Sequence, residues 1–435
     1  MGAEDYDPEI LGYSPKFAAL IRAARLDQGC FSKRLLNSGS MGITISPDNR
    51  TIAGGRSNGI ELFDINTSER SRGFLLSEKD TAEVHSEGNH LRDVIYNIAF
   101  TPDSRFVAAG DRKGNVYLWD LATRALRWLK DGAKKGGSFE GGGEGHGFDA
   151  VVAASPDGRI VVSSGPDGFV RGWDVETGSL MAEVDLSSAG RPFVDDTTMR
   201  SEEDEERRTG RTYPFEKLGH TIEEIRSIFR VYSLAFSPDG RWIACGMGTH
   251  REVVDPLLVI DTRARPWKVR RVTEYPVRER PAWWGKPGEM DFTFTTIFQL
   301  SFSNDGHWLL TCSGEGARLY NTRVTSFDGS GEWTVGPVIG YDWYADREVK
   351  GAGFRTVGAQ FIGKTDIIVI LHEGGIIEAL DRKRPDKPIW VAFAGTGEED
   401  SYDGSLTTSL DGRWIAVGRH GGPGLVLIDL GLYDI

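Results

Sequence analysis

One short strand type recurs seven times in this chain: Ile60–Asp64, Val116–Asp120, Val170–Asp174, Leu257–Asp261, Ala317–Asn321, Ile376–Asp381 and Leu425–Asp429. Repeated units of this kind bury their apolar faces mainly against one another. Six of the seven are followed by sequence that can supply one more strand. The seventh is not, and the segment that reads as its missing neighbour is Cys30–Leu36, near the other end of the chain. The expectation is a ring whose first strand completes its last repeat. Closure removes the open sheet edges that would otherwise pair with other chains.

Each repeat also carries a tight turn: Ser46-Pro-Asp-Asn, Thr101-Pro-Asp-Ser, Ser155-Pro-Asp-Gly, Ser237-Pro-Asp-Gly, Ser303-Asn-Asp-Gly and Ser409-Leu-Asp-Gly. Proline presets φ, aspartate accepts from its own backbone, and glycine takes the positive φ. Alternating runs such as Val231–Phe236 and Trp242–Cys245 flank these turns, the pattern of a hairpin with one buried face. The sixth repeat has Gly363-Lys-Thr-Asp366 instead, which leaves open a ring of six regular units with a distorted closure. Turn aspartates from Asp48 to Asp305 are spaced by 55, 54, 82 and 66 residues. A period that long and uneven describes a four-stranded unit with variable insertions.

These features resemble the WD40-repeat β-propeller family over residues 30–431. The third repeat carries the resemblance best, with Gly145-His146, Ala154-Ser-Pro-Asp-Gly158, Ser163-Ser-Gly-Pro-Asp-Gly168 and Trp173-Asp174. The resemblance implies an all-β, seven-bladed propeller closed by its N-terminal strand. It also implies a hydrogen-bonded network locking a blade, formed by His146, Asp167 and Trp173 with Ser163 or Ser164. The second repeat keeps His90 and Trp119 but has Lys113 at the Asp place. The fourth keeps His220 but has Ile260 in place of Trp. Ahead of the ring, residues 1–29 read as a tail with a short helix: Ser14-Pro15 caps it, and Phe17, Leu20, Ile21 and Ala24 follow at helical spacing. Residues 30–435 read as a single propeller domain.

Composition narrows the function. Apolar residues make up 39% and charged residues 26%, and no run approaches the roughly 20 apolar residues of a membrane helix. Met1–Pro8 is acidic and lacks the regions of a secretory leader. The three cysteines, Cys30, Cys245 and Cys312, are widely spaced, which suits buried thiols in a reducing compartment. The expected location is the cytoplasm or nucleus, with no membrane association. A net charge of −13 argues against direct nucleic-acid binding, which needs a basic face.

Long insertions fall between the outer strand of one repeat and the inner strand of the next, at 78–92, 131–148, 187–229, 274–294, 341–352 and 395–402. In the family these connections share one face of the ring, opposite the Pro-Asp-Gly turns. Loops of that length in a compact domain are commonly functional. Two are rich in aromatic and basic side chains: Arg278, Arg280, Trp283 and Trp284 in one, Tyr341, Trp343 and Tyr344 in the next. That is the composition of an interface hot spot; the bland alternative is that the rings roof the channel. The glycine-rich run 136–145 lacks the Lys-Ser or Lys-Thr of a phosphate-binding loop and reads as linker. The charge run 201–208 reads as solvated chain.

No zinc spacing or Cys-x-x-Cys is present. The expected function is a scaffold or adaptor binding a protein or peptide through its top-face loops, without cofactor or metal, as a monomer or within a larger complex. The alternative is a propeller hydrolase, lyase or small-ligand binder using channel-mouth carboxylates such as Glu289, Asp291, Asp342 and Asp346.

Overall fold

The computed structural model describes residues 32–36, 42–56, 59–75, 95–111, 114–131, 150–165, 167–189, 230–248, 257–272, 296–314, 316–323, 333–340, 356–394, 405–418 and 425–431. Ala19 and Ala23 are described as single helical positions, and the rest of the expected N-terminal helix lies outside the described residues. The described strands form seven four-stranded antiparallel sheets, numbered here as blades 1 to 7. Blades 1 to 6 each take four consecutive strands, within 43–75, 95–131, 151–185, 231–271, 299–339 and 356–393.

Blade 7 has three strands of its own, Leu406–Thr408, Trp414–Val417 and Leu425–Asp429, and the fourth is Ser32–Leu36. That strand runs antiparallel to the last one, with Ser32 opposite Asp429, Arg34 opposite Leu427 and Leu36 opposite Leu425. The closure expected from the sequence is therefore present. Each innermost strand touches the innermost strand of the next blade, and that of blade 7 (Leu406–Thr408) touches that of blade 1 (Ile43–Ile45), so the ring is complete.

The strands follow from where their faces go. Second and third strands are buried on both sides by neighbouring blades, so Phe106–Asp111 and Leu257–Asp261 are buried throughout. Outer strands have one wet side, as in Leu180–Asp185. Among the described residues the apolar core divides into seven clusters, each shared by two adjacent blades. The residue before each strand-terminal Asp or Asn always packs against the preceding blade. Phe63 joins blade 7, Trp119 blade 1, Trp173 blade 2, Ile260 blade 3, Tyr320 blade 4, Leu380 blade 5 and Ile428 blade 6.

Six tight turns share one geometry. The Ser or Thr hydroxyl donates to the Asp two residues on, at 2.5–2.7 Å, in Ser46–Asp48, Thr101–Asp103, Ser155–Asp157, Ser237–Asp239, Ser303–Asp305 and Ser409–Asp411. The same hydroxyl accepts the amide five residues on, as Trp242 N to Ser237 Oγ at 2.9 Å. Blade 6 solves the problem differently. Thr365 donates its hydroxyl to the Ile362 carbonyl at 2.7 Å and accepts the Ile367 amide at 3.1 Å. The sixth unit is thus a regular blade, and the six-bladed alternative is set aside.

At the ring's centre, side chains cap inner-strand backbone. Gln299 of blade 5 accepts the Ala359 amide of blade 6 at 2.9 Å and donates to the Leu406 carbonyl of blade 7 at 2.6 Å. Pairing these backbone groups keeps buried polar atoms satisfied where no ladder continues.

Candidate interaction surface

Antiparallel alternation decides which connections share a rim. In each blade the outer strand ends, and the next inner strand begins, at the same end of the sheets. The turns of the Ser-Pro-Asp type lie at the other end. The six segments that leave from this connection rim, 76–94, 132–149, 190–229, 273–295, 341–355 and 395–404, lie outside the described residues. Arg278, Arg280, Trp283, Trp284, Tyr341, Trp343 and Tyr344 all fall within them, as do His90, His146 and His220. The described part of the surface is the set of strand ends that anchors these segments.

Those ends are built from buried charge. The third residue before each strand-terminal Asp or Asn lies on the same strand face as the residue one before it. It reads Glu61, Tyr117, Arg171, Leu258, Arg318, Glu378 and Val426, every one buried. In blade 1, Glu61 pairs with Arg56 at 2.5 Å and with Arg70. In blade 2, Tyr117 donates its hydroxyl to Asp111 at 2.8 Å and stacks on Trp119, ring centroids 5.1 Å apart. Asp111 also takes the Asn115 amide and side chain, each at 2.8 Å. In blade 3, Arg171 bridges Asp167 at 2.7 Å and Glu183 at 2.8 Å. Burial works against that guanidinium's charge, and the two carboxylates outweigh it, so its pKa is raised. In blade 6, His372 and Glu378 meet at 3.0 Å with both side chains almost fully buried.

A charge taken out of water is tolerated when paired and hydrogen-bonded, and removing one partner of such a pair is costly. In blades 1, 2 and 6 the second strand therefore reaches the connection rim tied to its own third strand, and in blade 3 the third strand is tied to the turn before it and to the outer strand.

The residues expected to lock a blade are placed as follows. Trp173 Nε1 donates to Ser163 Oγ at 2.8 Å in the interior of blade 3. Ser164 Oγ instead donates to the Phe169 carbonyl at 2.9 Å, closing the turn between second and third strands. Asp167 sits in that turn, accepting the Phe169 amide at 3.3 Å and pairing with Arg171. Trp119 is buried against blade 1. In blade 2 the turn acid is Asp111, two residues before Lys113, which lies outside the described residues.

The charged position three before the terminal Asp escaped the reading of the sequence, although a signal for it exists. In Val170–Asp174 and Ile376–Asp381 a charge shares the inward face with large apolar side chains, and such a conflict marks a buried pair.

Cys245 and Cys312 are fully buried, and burial pushes both thiols well above their ordinary range, so neither is poised as a nucleophile. Among the described residues no group of His, Cys, Asp and Glu side chains has the arrangement of a metal site. No described helix is long and apolar enough to cross a membrane.

Four stretches, 82–120, 139–174, 218–251 and 291–321, match the model of the WD domain, G-beta repeat. Protein groucho of Drosophila melanogaster is 23% identical over 214 residues, which are 49% of this chain and 20% of that protein. The WD repeat-containing protein SL1-17 of Schistosoma mansoni is 26% identical over 141 residues, 32% of this chain and 38% of that one. The matched stretches thus span well under two thirds of either relative. Among solved structures, the β-propeller domain of Myceliophteria_thermophila Cps50 (Swd1) superimposes with a TM-score of 0.60 at 12% identity, covering 92% of this chain and 99% of that one.

Proposed function

We propose that this chain, a WD40-repeat β-propeller, is a protein-interaction scaffold that selects a protein or peptide partner through the long connections of one rim. The observation that carries the reading is topological. The six long outer-to-inner connections leave from the same end of the blades, and four of the seven blades anchor that end with a buried charged or tyrosine–carboxylate cluster. A rigid frame holding several long segments on one side loses less entropy on binding than the same segments would alone. One of the proteins similar in sequence is described as WD repeat-containing, which agrees with the matched repeat model but says nothing of partners.

The partner surface proposed within that rim is centred on Arg278, Arg280, Trp283, Trp284, Tyr341, Trp343 and Tyr344. Large flat rings with guanidinium neighbours are the side chains that dominate interface energies. The test replaces Trp283, Trp284 and Trp343 together with Ala. Folding is followed by thermal unfolding, and bound proteins by affinity co-purification with quantitative mass spectrometry. Loss of stoichiometric partners at unchanged stability supports the proposal. Lowered stability with the same partners would sink it, because the rings would then be serving the fold.

A further inference from the structure

The opposite rim, where the tight turns lie, holds a half-open cleft of about 370 Å³ between blades 3 and 4. We propose that this cleft is a second binding site, for a short segment of a partner that presents an apolar side chain next to a lysine or arginine.

The floor of the cleft is apolar and incompletely covered. Trp267, Phe236 and Ile160 line it, and each is only partly buried. Trp267 reaches back from blade 4 onto blade 3 because Gly172 leaves room. A Cβ on Gly172 would lie 2.8 Å from Trp267 Cη2. The same strand position is Leu62, Leu118, Val259, Leu319, Ala379 and Leu427 in the other blades, so only this seam has a glycine there. The missing side chain lays an indole across the seam. An aromatic floor of this kind takes an apolar side chain readily.

The wall supplies the charge selectivity. Asp157 and Asp239, from successive turns, both line the cleft, and Arg265 is the cation among the lining residues. Asp157 spends Oδ1 on the Ser155 hydroxyl at 2.6 Å and the Arg159 amide at 3.1 Å. Its Oδ2 has no partner among the described residues. Asp239 is arranged likewise and adds an exposed pair with Arg263 at 3.2 Å. Arg265 is turned away into backbone, donating to the Thr262 and Ala264 carbonyls. Partial burial opposes ionisation of both carboxyls, but the serine hydroxyls and backbone amides outweigh it, so both titrate below their ordinary range. The lining therefore offers a carboxylate oxygen of Asp157 that has no partner among the described residues, beside an aromatic floor. That is complementary to an apolar–basic pair and repels an apolar–acidic one.

The experiment uses the full chain with fluorescein-labelled octapeptide pools, read by anisotropy. The pools share randomised flanks and differ in the central pair: Leu-Arg, Leu-Glu or Ser-Arg. Binding by the Leu-Arg pool about tenfold tighter than by either other pool is the expected result, a difference of about 1.4 kcal/mol. Asp157→Asn keeps the turn's Oδ1 acceptor and is expected to weaken Leu-Arg binding about three- to tenfold. Arg265→Ser is expected to strengthen it about two- to threefold, an outcome that general loosening of the turn would not produce. Equal binding of the Leu-Glu pool, no saturable binding by any pool, or an Asp157→Asn protein that binds Leu-Arg as before would each overturn the proposal. Thermal unfolding of both variants, expected to match the parent, separates loss of site from loss of fold.

Discussion

Replacing Gly110 with Ala tests how tightly the blades meet. Gly110 is the fifth residue of Phe106–Asp111, and a Cβ built there would lie 1.9 Å from the Ala150 carbonyl oxygen, 2.5 Å from its carbon and 2.8 Å from its Cβ. The first two are backbone atoms of blade 3, and they cannot rotate away. Restoring an ordinary contact of 3.4 Å requires the two strands to part by about 1.5 Å. The Ala150 amide donates to the Asp111 carbonyl at 3.0 Å across the same seam, so parting also breaks that bond. Overpacking in a core costs about 1–3 kcal/mol. Stranding a buried donor and acceptor adds about 1–3 kcal/mol. The variant should therefore lose about 2–6 kcal/mol. Gly55 and Gly246 stand at the same strand position, and a Cβ there would meet the next blade's Ile95 and Ile297 carbonyl oxygens at 2.1 and 2.7 Å, so the constraint belongs to the architecture. The assay is urea unfolding followed by tryptophan fluorescence, with Gly336→Ala as control, since a Cβ on Gly336 meets nothing closer than the Leu319 carbonyl at 3.4 Å. The control should stay within about 0.5 kcal/mol of the parent. A Gly110→Ala protein with the parent's midpoint and slope would refute the claim that adjacent blades are in backbone contact here.

Further expectations concern single groups. Ser163→Ala removes the acceptor of a buried Trp173 indole N–H and should cost about 1–3 kcal/mol in the same urea assay, whereas Ser163→Thr should retain most of it. Arg124 holds φ of 57° in an exposed turn, where blade 3 has Gly178 at 66°, so Arg124→Gly should leave stability level or raise it by up to about 1 kcal/mol; a clear loss in thermal unfolding would contradict the strain. Asp305 is lowered from 3.8 to about 2; burial opposes this, and the Ser303 hydroxyl with the His307 amide and ring outweigh it. A carboxyl depressed by folding stabilises the native state fully above its unfolded value and loses that contribution as pH falls through the folded one. The stability difference between the parent and Asp305→Asn, measured by urea unfolding from pH 5 to pH 2, should therefore be flat above pH 4.5 and shrink as the pH falls from about 4 to about 2.

Much of the frame was legible because its signals are local. The Ser-Pro-Asp-Gly turns announce themselves through residues whose side chains bond their own backbone. Leu425–Asp429 and Cys30–Leu36 could be matched because one lacked a neighbour and the other lacked a blade. The sixth turn was harder, since Thr365 performs by a different hydroxyl what Ser and Asp do elsewhere. Lys113 was misleading for a similar reason: Asp111 supplies the turn acid from two positions earlier. The buried charges of Glu61, Arg171 and Glu378 were visible as polar residues on an apolar face. Their partners were not, because Glu183 and His372 come from neighbouring strands whose register is set only on folding.

The sequence by itself determined the strand periodicity and most of the turns, which depend on residues a few positions apart. Tertiary structure alone decided that Gly172 admits Trp267 across a seam, that Gln299 ties blades 5, 6 and 7, and that Gly110 sits against a carbonyl forty residues on. Those contacts join parts of the chain whose spacing carries no period, and they exist because closing the ring leaves no free space for the blades to adjust.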